Sequence, residues 1–182
     1  MIEPPDSSKF APEGDWTPID FPNSHGIGAS FIHGEPEGSR YRTALFVRES
    51  DRRLFARIWW GPGTEGPPGH AHGGSMAAVM DDIMGFSCWV AGHPVVAAKI
   101  SVEFRRKLPL GTVATAEGWV TNIDGRKVTA AGRIYLDDPE TPFASGEGLF
   151  IARSMEQFAG MLESATGKAA ARIEHMADGE TE

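Results

Sequence analysis

Apolar and polar residues alternate along three successive runs near the end of the chain: 112–122 (TVATAEGWVTN), 126–136 (RKVTAAGRIYL) and 143–152 (PFASGEGLFIA). A period of two is that of a strand with one face buried. Runs 41–49 (YRTALFVRE), 53–60 (RLFARIWW) and 97–106 (AAKISVEFRR) read the same way, the first two joined by a turn at Ser50-Asp51-Arg52. The connections LPLG, IDG and DDPETP are short and predict antiparallel neighbours. Residues 73 to about 91 break the alternation. There Met76, Ala77, Val79, Met80, Ile83, Met84, Phe86, Cys88, Trp89 and Val90 leave no polar face, which predicts a helix buried all round. The Gly- and Pro-rich loop GPGTEGPPGHA leads into it.

The alternation also predicts how these elements pack. One face of the last three runs carries Ala114, Ala116, Gly118 and Val120, then Val128, Ala130, Gly132 and Ile134, then Ala144, Gly146, Gly148 and Phe150. Small centres in three successive strands leave room for something bulky, and the apolar helix is the candidate. The expected class is α+β, a curved antiparallel sheet wrapped around one long central helix. Residues 1–25, with five prolines, read as an extended N-terminal arm packing through Phe10, Trp16 and Phe21. Residues 26–152 form the main domain. Residues 153–182 read as a short amphipathic helix through Met155, Phe158 and Met161, followed by a charged, mobile tail.

Composition narrows the function classes. The chain of 182 residues carries a formal net charge of −8, which argues against nucleic-acid binding. An anionic ligand would have to meet a local basic patch. The single cysteine, Cys88, excludes an intrachain disulfide. No run is long enough to span a bilayer, and the N-terminus lacks a signal-peptide core, so a soluble cytoplasmic protein is expected.

Candidate chemistry sits in the helix and at its start. Asp81 and Asp82 fall in the apolar run, and no lysine or arginine in the helix can pair with them. Successive helical residues point about 100° apart, so the two acids meet different surroundings. One is expected to face a cleft or subunit boundary, the other to make structural hydrogen bonds. Gly73 and Gly74 open the helix, where free N–H groups and the macrodipole favour negative charge and could polarise a carbonyl oxygen.

The stretch GPPGHAHGGSMAAVMDD, with His-Gly-Gly followed by an aspartate nine positions after the histidine, resembles the PaaI-like (4HBT) hotdog thioesterase superfamily. It is most similar to the THEM-type acyl-CoA thioesterase branch. SVEFRRKLPLG and DGRKV resemble further segments of that branch, and the resemblance covers about residues 45–152. It implies a hotdog thioesterase domain that hydrolyses an acyl-CoA thioester across a dimer interface, as a homodimer or a dimer of dimers. Asp81 would be catalytic base or nucleophile. The Gly74 N–H, with Gly73, would hold the thioester oxygen, and His72 would shape the loop without transferring protons. Arg105, Arg126 and Lys127 would meet the CoA phosphates, with Glu103 along the pantetheine. No metal or cofactor is implied beyond the CoA of the substrate. Two positions depart from the pattern: Gly66 stands where many relatives carry asparagine, and Ala97 where many carry a hydroxyl residue.

Three other readings compete. His70 and His72 form an H-x-H pair of the kind seen in metal sites, although further ligands would be needed nearby. The Gly66 and Ala97 departures suit a non-catalytic acyl-CoA binding or regulatory module. A hotdog dehydratase would pair its aspartate with a histidine on the same helix, and none follows Asp81 at four or five residues.

Overall fold

The computed structural model describes residues 2–20, 30–33 and 35–161. Seven strands form one antiparallel sheet: β1 (Trp16–Ile19), β2 (Tyr41–Arg48), β3 (Leu54–Trp60), β4 (Val95–Phe104), β5 (Val113–Asp124), β6 (Lys127–Tyr135) and β7 (Ala144–Ala152). Their spatial order is β1-β2-β3-β5-β6-β7-β4. One long helix, α1 (Gly73–Val90), lies across the sheet and packs on β3 through β7. This is the hotdog arrangement expected from the sequence. None of the described helices is long and apolar enough to cross a membrane.

The small strand centres do seat the helix. Register aligns Gly118 of β5 with Gly132 of β6, and Gly132 with Gly146 of β7, so three glycines form a row across the sheet. A Cβ added at Gly118 would lie 2.5 Å from the Ile83 carbonyl oxygen of α1. Cβ atoms at Gly132 and Gly146 would come within 3.1 and 3.0 Å of the Met80 methyl. Ala114, Ala116, Ala130 and Ala144 flank this row and are fully buried. The helix therefore approaches the sheet backbone closely enough that its own carbonyl touches a strand.

The structure corrects two expectations. The first concerns pairing: β4 does not lie beside β5 despite the short connection, but at the sheet edge beside β7. The connecting residues 105–112 instead cross below the start of α1. There the Leu108 carbonyl accepts from the Ala71 N–H at 2.8 Å, and the Leu110 N–H donates to the Gly69 carbonyl at 3.0 Å. Leu108 is fully buried and plugs this end of the core. The crossing is possible because it has a partner loop to bond with, and a turn-length argument cannot see that partner. The second concerns α1, which is not covered all round. Met76, Val79, Met80, Ile83, Met84, Ser87 and Cys88 are buried, whereas Ala77, Ala78, Asp81, Asp82, Phe86 and Trp89 are half-buried and Gly74 is exposed. The sheet wraps one side only.

Part of the N-terminal arm joins the sheet. Trp16–Ile19 pairs antiparallel with β2, and Trp16 stacks on Phe55 at 4.2 Å. Phe21 and residues 162–182, including the charged tail, lie outside the described residues. Residues 155–161 are helical, and Phe158 packs against Trp89 of α1 at 5.0 Å.

The outer face of the sheet holds a buried acid. Glu117 accepts from Arg53 Nη1 at 2.8 Å and from Arg133 Nε at 2.6 Å, and both guanidiniums lie against the Trp119 ring. Removing one member of a buried charge pair costs about 3–5 kcal/mol. Both arginines reach solvent here, so Glu117→Ala is expected to cost about 3 kcal/mol, at the lower end of that range. Urea unfolding at neutral pH would measure it.

Candidate active site

The start of α1 is built by the loop that precedes it. The loop folds back on itself, with the Gly66 N–H donating to the His70 carbonyl at 2.9 Å and the His72 N–H to the Thr64 carbonyl at 2.8 Å. His72 then occupies the N-cap position in extended conformation (φ −66°, ψ 139°). Its Nδ1 accepts from the Gly74 N–H at 2.9 Å, and its carbonyl accepts from the Ser75 N–H. The Gly73 N–H has no acceptor among the described residues. The two glycines singled out together in the sequence thus differ: His72 occupies the donor of Gly74, whereas that of Gly73 is open. The Phe104 ring walls this donor, 3.4 Å from where a Gly73 Cβ would stand, and is itself 53 % exposed.

The Gly66 departure has a local cause. A Cβ at residue 66 would fall 2.7 Å from the His72 Cα, so the hairpin leaves no room there for a larger side chain. Ala97 is exposed on β4, next to the irregularity between Ala97 and Lys99. His70 Nδ1 lies 2.9 Å from the Pro68 carbonyl, so both histidines of the H-x-H pair engage local backbone. Among the described residues no group of His, Cys, Asp or Glu is arranged to hold a metal ion.

Asp81 lies two turns along α1 from Gly74, near the same azimuth. Burial pushes its carboxyl above the usual carboxylate range, and the neighbouring Asp82 charge pushes the same way. Asp82 faces elsewhere. Its Oδ2 lies 3.5 Å from Nε2 of His33, whose Nδ1 is 2.8 Å from the Thr43 hydroxyl. The sequence reading missed His33. It precedes Asp82 by 49 positions in a segment with no periodic pattern, so no local signal links the two.

Within one chain, Gly73 and Asp81 cannot serve the same carbon. Asp81 is eight residues on, about 12 Å along the axis. Helical N–H groups point toward the N-terminus, so an oxygen held by Gly73 lies beyond the helix start, away from Asp81.

The proposed phosphate-binding residues are also separated. Glu103 pairs with Arg105 at 2.5 Å near the end of β4, close to Phe104. Lys127 lies in register with Ile151, and Ile151 with Val96, so Arg126 and Lys127 sit at the opposite end of the sheet. Seven β4 residues separate these ends, about 23 Å. One protomer does not assemble them into a single basic patch. A groove of about 610 Å³, lined by Arg105, Trp119, Arg133 and Glu147, opens on the outer face, away from α1.

Comparison with known proteins agrees with this architecture. Residues 68–143 match the model of a family described as the thioesterase superfamily. Acyl-coenzyme A thioesterase THEM5 of Mus musculus is 29 % identical over 121 residues, covering 66 % of this chain and 49 % of that protein. Acyl-coenzyme A thioesterase THEM4 of Xenopus laevis is 30 % identical over 117 residues, covering 64 % and 53 %. The chain spans about half the length of the curated relatives it matches. A solved thioesterase superfamily protein superposes with TM-score 0.56 at 31 % identity, over 60 % of this chain and 53 % of that one. The PaaI protein of E. coli shares the fold, with TM-score 0.55 at 16 % identity over 62 % of this chain and 80 % of that one. Residues 68–143, which begin just before the helix opened by His72-Gly73-Gly74, thus resemble the thioesterase superfamily, and the sheet wrapped around that helix has the fold of solved thioesterase superfamily proteins.

Proposed function

We propose that this chain hydrolyses an acyl-CoA thioester in sites shared between two copies. The observation that carries the reading is the open Gly73 N–H at the start of a helix whose interior holds Asp81, a half-buried carboxylate paired with no cation among the described residues. The names of the curated relatives supply the substrate class.

In this reading the thioester oxygen accepts from the Gly73 N–H, and the helix dipole stabilises the charge that builds on it. The partner subunit's Asp81, ionised at neutral pH, takes a proton from water as hydroxide attacks the carbonyl carbon. The tetrahedral intermediate then expels CoA thiolate and leaves the free acid. Direct attack by the carboxylate, through an anhydride that water then opens, uses the same groups. Neither route needs a metal or redox cofactor.

The edge strand supports the shared site. β4 ends the sheet, and most of its residues are exposed. A second copy adding its own β4 antiparallel would continue the sheet. That symmetry sets the Arg105 end of one protomer beside the Val95 end of its partner, which also carries residues 126 and 127. The separated basic residues would then meet across the interface and hold the CoA phosphates.

Thiol release from a panel of acyl-CoAs tests the activity. Release from none of them, with CoA still bound, would favour the binding-module reading. Subunit mixing tests the shared site. Gly73→Pro deletes the donor at a helix position that tolerates proline, after a residue already extended. Gly73→Pro and Asp81→Asn are each expected to be inactive alone. Dissociated and reassociated 1:1, they should recover about a quarter of wild-type activity, because half the dimers then carry one intact site. Lack of recovery from verified mixed dimers would place both groups in one chain.

A further inference from the structure

We infer that His33 and Asp82 form a charge pair that sets the electrostatic field in which Asp81 works, making both positioning residues for the proposed reaction. The inference rests on the reading of Asp81 as the reactive carboxylate and adds what controls it.

Asp81 and Asp82 are adjacent on one turn of α1 and both half-buried. The Asp82 charge, this close and in partly dry surroundings, disfavours the ionised form of Asp81. Asp82 is answered from across the core. His33 is only 8 % exposed, and its ring lies 5.6 Å from that of Phe86. Its Nδ1 is held by the Thr43 hydroxyl of β2 at 2.8 Å. Its Nε2 is buried without a hydrogen-bond partner among the described residues and faces the Asp82 carboxylate at 3.5 Å. A void of about 10 Å³ beside the pair is bounded by Ile32, Val79, Ile83 and Phe86, so little solvent screens it.

The other ionisable groups nearby among the described residues do not replace His33. Tyr41 of β2 feels the Asp82 charge, but its hydroxyl donates to the Ser75 carbonyl at 3.1 Å, and burial pushes it up to about 12. Asp20 lines the same cleft as His33 and Thr43 and carries the same sign as Asp82. Asp82 is the charged group whose field reaches Asp81. Protonated His33 cancels part of that field and neutral His33 leaves it in place, so the imidazole acts on Asp81 through Asp82.

The two partners should therefore act in opposite directions, which a merely structural role would not produce. Asp82→Asn removes a negative neighbour, so the Asp81 carboxyl should titrate at lower pH and activity should persist further into acid. His33→Gln keeps a hydrogen-bonding group for Thr43 but removes the cation, so Asp81 should titrate at higher pH and the acid limb should move up. In an Asp82→Asn background, His33→Gln should add nothing.

Carboxyl ¹³C NMR titration of aspartate-labelled protein, with Asp81 assigned through Asp81→Asn, reads this without any substrate. The pH–rate profile with acyl-CoA reads it through turnover. Coincident Asp81 midpoints in all four proteins, or both single variants moving the same way, would overturn the inference. Opposite NMR shifts with no matching movement of the rate profile would uphold the pair and reject Asp81 as the base.

Discussion

Asp81→Asn is expected to lower thiol release from acyl-CoA by about a thousandfold, the middle of the range for a lost general base, and to make the protein more stable. The loss follows because asparagine keeps the shape but cannot accept the proton of the attacking water. The gain follows from linkage. Burial and Asp82 raise the Asp81 pKa above its unfolded value of 3.8, so the folded chain binds the proton more tightly. Stability then rises as pH falls through the raised folded value, and above it the ionised group costs stability. Asparagine removes that cost at neutral pH, and the advantage over wild type should shrink in acid. Thermal unfolding at pH 7 and pH 4, beside a thiol-release assay, reads both effects. Asp82→Asn should keep turnover near wild type on the neutral plateau. Equal loss in both variants would reject Asp81 as the distinct reactive group.

Gly118→Val is expected to destabilise the fold by about 3 kcal/mol, toward the upper end for overpacking a close-packed core. The first added atom would lie 2.5 Å from the Ile83 carbonyl oxygen. Backbone cannot rotate aside as a flexible side chain can, so either the helix lifts or β5 bends. At Gly132 the nearest atoms to an added Cβ are the Glu117 carbonyl oxygen at 3.0 Å and the flexible Met80 methyl at 3.1 Å, a looser fit than at Gly118. Gly132→Ala should therefore cost less than Gly118→Ala. Urea denaturation of the three variants ranks them, and an unchanged midpoint for Gly118→Val would show that the helix is not seated as described.

Much of the fold was legible because the strand signal has a short period and the helix interrupts it. Ala114-Ala116-Gly118 and its two counterparts mark a seat for a helix in the sequence itself. The position of β4 was not legible. Residues 105–112 are short enough for a hairpin, and only the bonds from Leu108 and Leu110 to residues 69–71 show why they cross the sheet mouth. The buried pairing of Glu117 with Arg53 was equally hidden, since the two are distant in sequence, whereas Arg133 faces Glu117 across the β5–β6 hairpin.

The candidate site divides in the same way. Spacing within α1 set Asp81 below Gly74, because helical periodicity is local. It could not tell which glycine keeps a free donor, since that depends on the His72 ring. Nor could it reveal His33 behind Asp82, or that Arg105 and Lys127 stand at opposite ends of the sheet. Those facts depend on how distant segments meet.

The glycine row has a consequence for chemistry as well as packing. With the Ile83 carbonyl against Gly118 and Met80 over Gly132 and Gly146, the helix sits like a key in a slot, unable to roll or slide without collision. Asp81 follows Met80 directly, so its bearing is fixed by three backbone positions on the far side of the core. The aim of the proposed reactive group is therefore held by residues that no substrate would touch.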